Sequence, residues 1–474
     1  MLDLVIAGGE VVTPSGVGVW DVAIRGEEIV AVTAPGVLAG EAARVIDASG
    51  LVAVPGGIEP HAHIAAPIVG RGDLQTAPPE QVSRAALFGG TTTLLDFAVV
   101  YPGWDIPQAI EERTEVWKGN SYADYSHHVM LLGDIPPQII GSIHEAVEDG
   151  FPSFKIFTTD VRPRASTGDV PRMVRSGHLH DLMTRIQQLN AMLLVHAEED
   201  DMVQHMHHKL TRQGRTHWSN MPLVHSVESE DVSFRRVLRL AEWTSAPVYF
   251  VHVSAQSGVQ AIAEARADGR PVYGETLHNY CCFSQEDYHE EFGMKYHTYP
   301  SLKSEDDRMA LWRAIIGGDL QTMATDEYCT SWETKTTGRT ISDVTGGHNG
   351  VETRMGITFS EGVSRQGMDL QRFVDVTSAN AAKIMGLYPR KGVLAPGSDA
   401  DICLIDPTVK RKLTAEDFHI SDYSIWDGYD IEGWPVTTIL RGQVVASHGA
   451  FNAAPTGRLV PRRIDPAVTI RPAC

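Results

Sequence analysis

The middle of the chain alternates short apolar segments with segments of helical periodicity, and this alternation most constrains the fold. Eight segments resemble strands that are buried on both faces, at residues 52–64, 89–99, 126–132, 153–158, 191–198, 247–254, 271–277 and 320–326. Helical patterns lie between several of them, as at 200–213, 233–245 and 257–269. Apolar strands alternating with helices favour a parallel sheet covered on both sides. Eight such strands predict an α/β fold of the closed TIM (β/α)₈ barrel type.

Both ends of the chain differ in pattern from the middle. Residues 1–53 alternate with period two and are interrupted by Gly and Pro, which predicts short strands with tight turns. Residues 390–455 repeat this pattern in GVLAPGSDADICLIDP and VTTILRGQVVASHG. We therefore expect a small composite β-sandwich domain from 1–53 plus 390–455 and a barrel domain over 54–389. The Pro- and Arg-rich residues 456–474 are expected to form a C-terminal arm that lies on another surface.

The charge balance argues against partners with negatively charged surfaces. Forty Lys and Arg residues stand against 60 Asp and Glu residues, which gives a formal net charge of −20. Such a chain repels phosphate backbones and anionic lipids, so we expect neither a nucleic-acid nor a membrane partner. The N-terminus lacks the basic and apolar regions of a signal peptide. Five cysteines without C-x-x-C spacing indicate neither a disulfide framework nor a Cys₄ zinc site, which predicts a cytoplasmic protein.

Residues that can bind metal ions recur where the predicted barrel strands end. The first strand ends in His-Ala-His, and strand alternation places both imidazoles on one face. Residues at the carboxyl ends of barrel strands converge on one mouth. The set at these ends comprises His61, His63, Lys155, His196, His252 and Asp326. Zinc favours imidazole and carboxylate ligands, and four histidines with one aspartate can serve two ions.

Lys155 needs a separate explanation because an ammonium group cannot bind a cation. A lysine held among cations and apolar walls loses its proton, and the free amine can react with CO₂ to give a bridging carbamate. The sequence therefore predicts two divalent metal ions, Zn²⁺ in the first place, with carbamylated Lys155 between them.

Other candidate residues have simpler explanations. A polar helical pattern carries three histidines that we expect on a solvated face: His205, His207 and His208. His127 and His128 are expected to pack within a strand, and Glu275 either orients a ligand or is a paired core acid. Neither a Gly-rich phosphate loop nor a G-x-S-x-G elbow occurs, which argues against kinases, dehydrogenases and serine hydrolases.

Together these motifs resemble those of the cyclic amidohydrolases, in particular the dihydropyrimidinase and hydantoinase branch. PGGIEPHAHI resembles the first-strand metal motif of that family, and FPSFKIF resembles the strand of its carbamylated lysine. LLVHAEE and YFVHVS resemble its two later histidine strands. GGHNGVETRM and YPRKGVLAPGSDADICLIDP match its C-terminal half. The resemblance extends from residue 1 to about 450 and implies a TIM barrel, a composite β-sandwich and a homotetramer.

The resemblance also implies a role for each metal-competent residue. It divides them into His61, His63 and Asp326 for the more buried ion, His196 and His252 for the other, and carbamylated Lys155 as the bridge. Asp326 would be the catalytic residue, which accepts a proton from the attacking water and delivers it to the leaving nitrogen. Asn349 matches the position that hydrogen-bonds the ring amide of the substrate.

Several positions depart from the pattern of the family. Asp160 stands where a tyrosine normally stabilises the oxyanion, a role that a carboxylate would oppose. Tyr299 falls on a serine whose main chain contacts substrate, so that contact can survive. Glu327 replaces the histidine that normally follows the last ligand. The loop after Lys155 is longer than usual and carries four arginines, which either form a solvated loop or bind an anionic substrate group: Arg162, Arg164, Arg172 and Arg175.

We expect a hydrolase that opens the cyclic amide bond of dihydropyrimidines or 5-substituted hydantoins and yields N-carbamoyl amino acids. One alternative is an enzyme acting on another cyclic imide or a ureide, as allantoinases do. A second is a non-catalytic scaffold of the same branch, which the complete ligand set disfavours. A deaminase or phosphotriesterase-like hydrolase on the same barrel is a third, but it would lack the C-terminal motifs. We expect metal ions as the cofactors and no separate cofactor-binding residues.

Overall fold

The computed structural model describes residues 1–68, 70–161 and 171–474. Its strands follow one another as β1 (Leu2–Thr13), β2 (Gly16–Arg25), β3 (Glu28–Thr33), β4 (Ala42–Asp47), β5 (Val52–Pro55), β6 (Gly57–Glu59), β7 (Thr91–Val100), β8 (Asp124–Leu131), β9 (Ser153–Phe157), β10 (Met192–His196), β11 (Val248–Phe250), β12 (Val272–Leu277), β13 (Thr322–Ala324), β14 (Ile402–Lys412), β15 (Asp430–Leu440), β16 (Gln443–Ser447) and β17 (Ala450–Phe451). These strands form two separate sheets within the described residues.

The α-helices lie mainly between the strands of the central part. They are α1 (Pro79–Phe88), α2 (Ile106–Trp117), α3 (Pro137–Glu148), α4 (Ser176–Gln188), α5 (Asp200–Arg212), α6 (Met221–Val224), α7 (Val227–Thr244), α8 (Gln256–Ala267), α9 (His278–Cys282), α10 (Glu305–Gly317), α11 (Trp332–Thr337), α12 (Arg354–Ile357), α13 (Leu370–Val374), α14 (Asn380–Met385) and α15 (Pro466–Ile470). Among the described residues, no helix combines the length and the apolar character that a membrane span requires.

The predicted barrel is confirmed. Strands β6 to β13 form one eight-stranded sheet in chain order, and every pair of neighbours within it is parallel. All residues of β8 to β13 are buried, as expected for strands with helices outside and side chains inside the barrel. The helical patterns predicted at 200–213, 233–245 and 257–269 correspond to α5, α7 and α8, and each extends one or two residues beyond the carboxyl end of its helix.

Local sequence signals set the connections between strands, as α10 illustrates. Ser304 caps this helix by accepting a hydrogen bond from the Asp307 amide, and the Asp307 carboxylate accepts one from the Ser304 amide in return. The helix ends at Gly318, whose φ of 98° requires a residue without a Cβ. The chain then enters β13 and reaches Asp326.

The second sheet is built from both ends of the chain, as predicted. Its nine strands run in the order β17-β16-β15-β14-β5-β1-β2-β3, and β4 pairs with β1. The junction between the two ends is the antiparallel pairing of β5 with β14. The predicted boundary between 53 and 54 falls inside β5, which belongs entirely to this sheet.

A buried cation joins the barrel to the second sheet. The Lys391 ammonium donates to Asp124 at 2.8 Å and to Asp401 at 2.6 Å, and its nitrogen lies 3.0 Å from Asp399. Asp124 begins β8 of the barrel, whereas Asp401 immediately precedes β14. The three carboxylates lie close enough together to resemble a metal site, but Lys391 occupies their centre. Arg441 adds a second ion pair to Asp124.

Residues 456–474 run across the end of the barrel opposite the strand carboxyl ends. The Arg458 and Val460 backbone pairs with Tyr125 at the start of β8. The buried Arg462 guanidinium donates to Ser126 Oγ and to the His127 carbonyl. Apolar side chains of this segment extend the interior cluster of the barrel, and they are Val460, Ile464 and Val468. The predicted C-terminal arm therefore lies on the amino end of the barrel of the same chain.

Candidate metal centre

The six residues predicted from strand ends come together in one cavity. His61 and His63 follow β6, Lys155 lies in β9, and His196 ends β10. His252 and Asp326 lie just beyond the ends of β11 and β13. All six line a cavity of about 750 Å³ at the carboxyl ends of the barrel strands.

The first and last strands of the barrel are joined where the ligands lie. The His63 amide donates to the Glu327 carbonyl at 2.7 Å, and the Glu327 amide donates to the His61 carbonyl at 3.2 Å. The buried Glu59 carboxylate accepts from the His61 amide at 2.9 Å and from the Thr325 amide at 3.2 Å. This closure places Asp326 Oδ1 at 3.1 Å from His61 Nε2 and 3.2 Å from His63 Nε2.

The other side chains complete a compact cluster. The His252 ring lies 5.5 Å from that of His61 and 4.5 Å from that of His196, measured between ring centroids. Lys155 Nζ is fully buried, points among the aromatic rings and has no hydrogen-bond partner within the described residues. Burying an amine without a hydrogen-bond partner costs free energy. A further group attached to Lys155 Nζ would explain why this nitrogen is buried here.

The backbone at two of these residues adopts an uncommon conformation. His252 has a φ of 40° and Asp326 a φ of 50°, in the left-handed region that side chains with a Cβ rarely adopt. Such strain persists where the surrounding structure holds it and clusters at functional sites. Here it directs an imidazole and a carboxylate into the barrel mouth instead of along the strand.

Buried carboxylates behind the cavity orient its histidines. Glu275 accepts from His61 Nδ1 at 2.5 Å, from the Tyr249 hydroxyl at 2.7 Å and from the His252 amide at 3.1 Å. The sequence left open whether Glu275 orients a ligand or is a paired core acid, and this geometry supports the first reading. The sequence analysis missed Glu198, which contacts His196 Nε2 at 2.7 Å and His225 Nδ1 at 2.8 Å. Its position two residues after His196 was the available signal.

The electrostatics of the cavity suit metal binding. Burial lowers the pKa of Lys155 to about 8, which brings the neutral amine within reach at physiological pH. Burial also holds the pKa of His252 well below its usual value, so this imidazole is neutral and can ligate. Burial acts to raise the pKa of Asp326, but the neighbouring His61 and His63 outweigh it and keep the pKa well below its ordinary range. The donor set therefore fits divalent cations that favour nitrogen and carboxylate oxygen.

The role of Glu275 can be tested with a substitution of the same shape. We expect Glu275→Gln to lower the affinity for divalent metal about 10–100-fold, because the negative charge that orients His61 and raises its basicity is lost. Metal retained after dialysis against graded chelator concentrations measures this effect. Glu264→Gln is the matched control, since Glu264 is exposed and its one ion pair among the described residues is with Arg235 on the outer surface. Equal metal affinity in the two variants would contradict an orienting role for Glu275.

The three predicted substrate-binding residues are placed differently from one another. Tyr299 lines the cavity, and its hydroxyl lies 3.4 Å from the Val344 carbonyl. Asn349 is buried, donates to the Tyr423 carbonyl at 2.5 Å and is not among the described residues that line the cavity. Asp160 likewise does not line it.

Two departures from the family pattern have structural explanations. Asp160 accepts backbone hydrogen bonds from the residues at 172 and 173, so its carboxylate is used within the loop and is not directed at the cavity. Glu327 accepts from the Gly350 amide at 2.6 Å and the Val351 amide at 2.7 Å, and burial raises its pKa to about 8. It thereby fixes the turn that carries Asn349.

The four arginines of the long loop have different environments. Arg162 and Arg164 lie outside the described residues. Arg175 is exposed and pairs with Asp134 at 2.5 Å, in agreement with the solvated reading. Arg172, in contrast, lines the cavity.

The histidines expected to have no metal role are not among the described residues that line the cavity. His128 is buried and bonds Ser153 Oγ and the Pro60 carbonyl, in agreement with packing within a strand. His205 and His208 are exposed on α5, as predicted. The prediction for His207 was wrong, because this ring is buried and lies 6.3 Å from the ring of His225.

Comparison with known proteins agrees with this geometry. The model of the amidohydrolase family matches residues 52–445. A D-hydantoinase from Geobacillus stearothermophilus is 35% identical over 422 residues, which cover 87% of each chain. A D-phenylhydantoinase from Escherichia coli is 32% identical over 431 residues, which cover 88% of this chain and 89% of that protein. The crystal structure of a dihydropyrimidinase from Brevibacillus agri superposes with a TM-score of 0.91 at 33% identity and covers 98% of this chain and 99% of that one.

The fold and its donor residues define an α/β-barrel protein with a mouth suited to divalent metal ions. The chain belongs to the amidohydrolase family. The resemblance to cyclic amidohydrolases of the dihydropyrimidinase and hydantoinase branch is confirmed.

Proposed function

We propose that this protein is a metal-dependent hydrolase that opens the cyclic amide bond of dihydropyrimidines or 5-substituted hydantoins. The observation that carries the proposal is the single cavity in which Asp326 lies between two histidines and beside the unpartnered amine of Lys155. The relatives named D-hydantoinase and dihydropyrimidinase support the choice of ring. The product would be an N-carbamoyl amino acid.

The donor residues fit two divalent cations, and we propose Zn²⁺. His61, His63 and Asp326 would hold one ion. His196 and His252 would hold the other. When bound, the pair supplies Lewis acidity, which makes hydroxide available near neutral pH and polarises the ring carbonyl.

Lys155 would bridge the two ions as a carbamate. The neutral amine attacks CO₂, a C–N bond forms, and one proton leaves, so a neutral buried amine becomes a carboxylate-like anion. Burial and the resulting pKa of about 8 favour the neutral amine that this reaction needs. The carbamate also explains why Lys155 Nζ has no hydrogen-bond partner among the described residues, because its oxygens would bind cations instead.

The chain itself supplies proton transfer and orientation. Asp326 accepts the proton of the attacking water and returns it to the ring nitrogen as the C–N bond breaks, so the carboxylate is regenerated in each cycle. Glu275 and Glu198 hold His61 and His196 in fixed orientations during these steps. Apolar residues of the cavity, among them Phe97 and Phe157, exclude bulk water from the reacting groups.

We propose that Tyr299 and Asn349 contact the ring. Tyr299 lines the cavity, and its main chain occupies the position that resembles the substrate-contacting serine of the family. Asn349 does not line the cavity; its amide nitrogen donates to the Tyr423 carbonyl, and its amide oxygen has no hydrogen-bond partner among the described residues. Contact with the ring therefore requires this side chain to reorient when substrate binds. For Asp160 we propose a role in holding the loop that carries Arg172 and not in oxyanion binding.

The test combines metal analysis with a ring-opening assay on dihydrouracil, hydantoin, an aryl-hydantoin, allantoin and succinimide. We expect two metal ions per chain by mass spectrometry and turnover of hydantoins or dihydrouracil. Preferred turnover of allantoin or succinimide would move the substrate to the alternative ring class. Full metal content in a Lys155→Ala variant would contradict the bridge. A wild-type protein without metal and without turnover would reject the proposal in favour of a scaffold role.

We also propose a cytoplasmic homotetramer. Five free cysteines without a disulfide support a reducing compartment. The tetramer rests on the family resemblance, and light scattering of the purified protein would test it by its molar mass.

A further inference from the structure

Arg172 is a cation at the cavity mouth that the proposed hydrolysis does not use. Its side chain is half-buried and lines the cavity. Within residues 1–68, 70–161 and 171–474, its guanidinium has no carboxylate at ion-pair distance. The other arginine of the cavity, Arg113, is neutralised by Asp96, and Arg175 on the outer surface pairs with Asp134. Arg172 is thus available to an anionic ligand.

The backbone of Arg172 is fixed at this position. The amides of Arg172 and Met173 both donate to Asp160 Oδ1, at 2.6 and 2.9 Å. The next residue, Val174, donates its amide to the Phe157 carbonyl at 2.8 Å, so this segment extends the end of β9. Asp160 therefore places the arginine against the rigid barrel and not in a free loop. A preorganised guanidinium loses less conformational entropy when it binds an anion.

Arg172 lies within reach of a substrate that occupies the metal centre. The Phe157 ring separates it from Lys155: Lys155 Nζ lies 5.2 Å from the ring centroid, and Arg172 Cζ lies 5.8 Å from it. Lys155 Nζ, which marks the metal centre, and Arg172 Cζ are therefore no more than 11.0 Å apart, the sum of these distances. A five-membered ring with a short acidic side chain that lies between them can place its ring carbonyl at the metal centre and its carboxylate at the guanidinium.

The surroundings strengthen an anion contact at Arg172. Met130 and Val161 are buried apolar residues of the same wall, and a contact beside them is screened less than in open water. A guanidinium can bind a carboxylate through two parallel hydrogen bonds. Glu112 on α2 also lines the cavity, but it is exposed and is not in an ion pair with Arg172. The negative charge of Glu112 lowers the net positive charge of the mouth, but it leaves the Arg172 guanidinium available to a ligand.

We propose that Arg172 selects cyclic amides whose exocyclic side chain ends in a carboxylate, with Asp160 as the positioning residue. This inference rests on the proposed function, because it assumes that a ring occupies the metal centre. Asp160 then affects substrate selection by holding the loop that carries Arg172, and it does not contact the oxyanion.

The experiment compares hydantoin-5-acetic acid with its amide, which has the same shape and no charge. We expect wild-type protein to favour the acid. Arg172→Gln should raise KM for the acid roughly 10–100-fold, as expected for the loss of a charge-assisted hydrogen bond, and leave kcat and the amide unaffected. Arg175→Gln is the matched control, because it removes a neighbouring cation that does not line the cavity. Asp160→Ala should raise KM for the acid, and Asp160→Asn should restore selectivity, since its Oδ1 still accepts both amides.

Binding of both rings to an Asp326→Asn variant whose metal content matches that of the wild type, measured by calorimetry, separates failure of this inference from failure of the proposed function. Binding of the acid that depends on Arg172, without turnover of either ring by wild-type protein, would reject the hydrolase and retain the anion site. Turnover of both rings with equal KM, or an equal effect of Arg172→Gln on acid and amide, would overturn the inference alone. Absence of binding of either ring would overturn both.

Discussion

Replacing His61 with alanine is expected to remove bound metal and ring-opening activity together. His61 contacts Asp326 through Nε2 and is held by Glu275 through Nδ1, so its loss breaks the cluster at its most connected point. Several kcal/mol of transition-state stabilisation depend on the metal, which corresponds to a fall in kcat on the order of a thousandfold. Metal content by mass spectrometry and kcat on the preferred ring measure the two effects on one preparation.

His208→Ala is the control for this variant, because His208 is an exposed histidine on α5 and lies outside the cavity. It should retain full metal content and activity. A circular dichroism spectrum and melting temperature close to those of the wild type would show that His61→Ala still folds. Unchanged turnover by a metal-free His61→Ala protein would refute metal-dependent hydrolysis.

Replacing Lys391 with methionine is expected to destabilise the protein by about 3–5 kcal/mol, the usual cost of breaking a buried ion pair by removing one partner. Lys391 is almost fully buried and contacts the carboxylates of Asp124, Asp399 and Asp401. Burial alone would lower the pKa of Lys391, but these acids outweigh it and raise the pKa above its usual value. Methionine fills a similar volume but leaves Asp124 with Arg441 and Asp399 with the half-exposed Arg390, whereas Asp401 loses the one ion-pair partner it has among the described residues.

Denaturant-induced unfolding, followed by fluorescence, measures this loss. Lys410→Met is the control, because Lys410 forms an exposed pair with Glu432, and such pairs contribute about 0–1 kcal/mol. A loss in Lys391→Met no larger than that in Lys410→Met would show that Lys391 does not hold the two sheets together.

The barrel and its ligands could be predicted because both depend on short-range patterns. Eight buried strands are visible as apolar runs, and the rule that ligands lie at strand carboxyl ends then brings six distant residues together. Five of the eight strands have a ligand within them or just beyond their carboxyl ends, so an error of one or two residues at a strand end does not change the prediction. His61 and His63 illustrate this, since they lie beyond the last residue of β6 and still reach the cavity.

The supporting contacts could not be predicted in the same way. Glu275 and His61 are separated by 214 residues, and nothing in the local pattern of either indicates the other. His207 was placed on a solvated face because α5 is polar, whereas its position on the helix brings it beside the buried His225. The carboxylate of Asp160 takes the place of the oxyanion tyrosine in the sequence, but it accepts the backbone amides of Arg172 and Met173, and nothing in its local pattern indicates these partners.

The charge cluster at Asp124 also has a consequence for the order of folding during synthesis. Asp124 receives a hydrogen bond from the Arg458 amide, 334 residues later, and pairs with Lys391 and Arg441 in between. At ribosomal rates of about 5–20 residues per second, β8 waits roughly 20–70 s for its last partner. A nascent barrel therefore carries an acid without an ion-pair partner from this cluster until Lys391 emerges, and its set of partners is complete only when residues 456–474 follow. Chaperone dependence should consequently be greatest late in translation, when all eight barrel strands already exist but their amino end is still open.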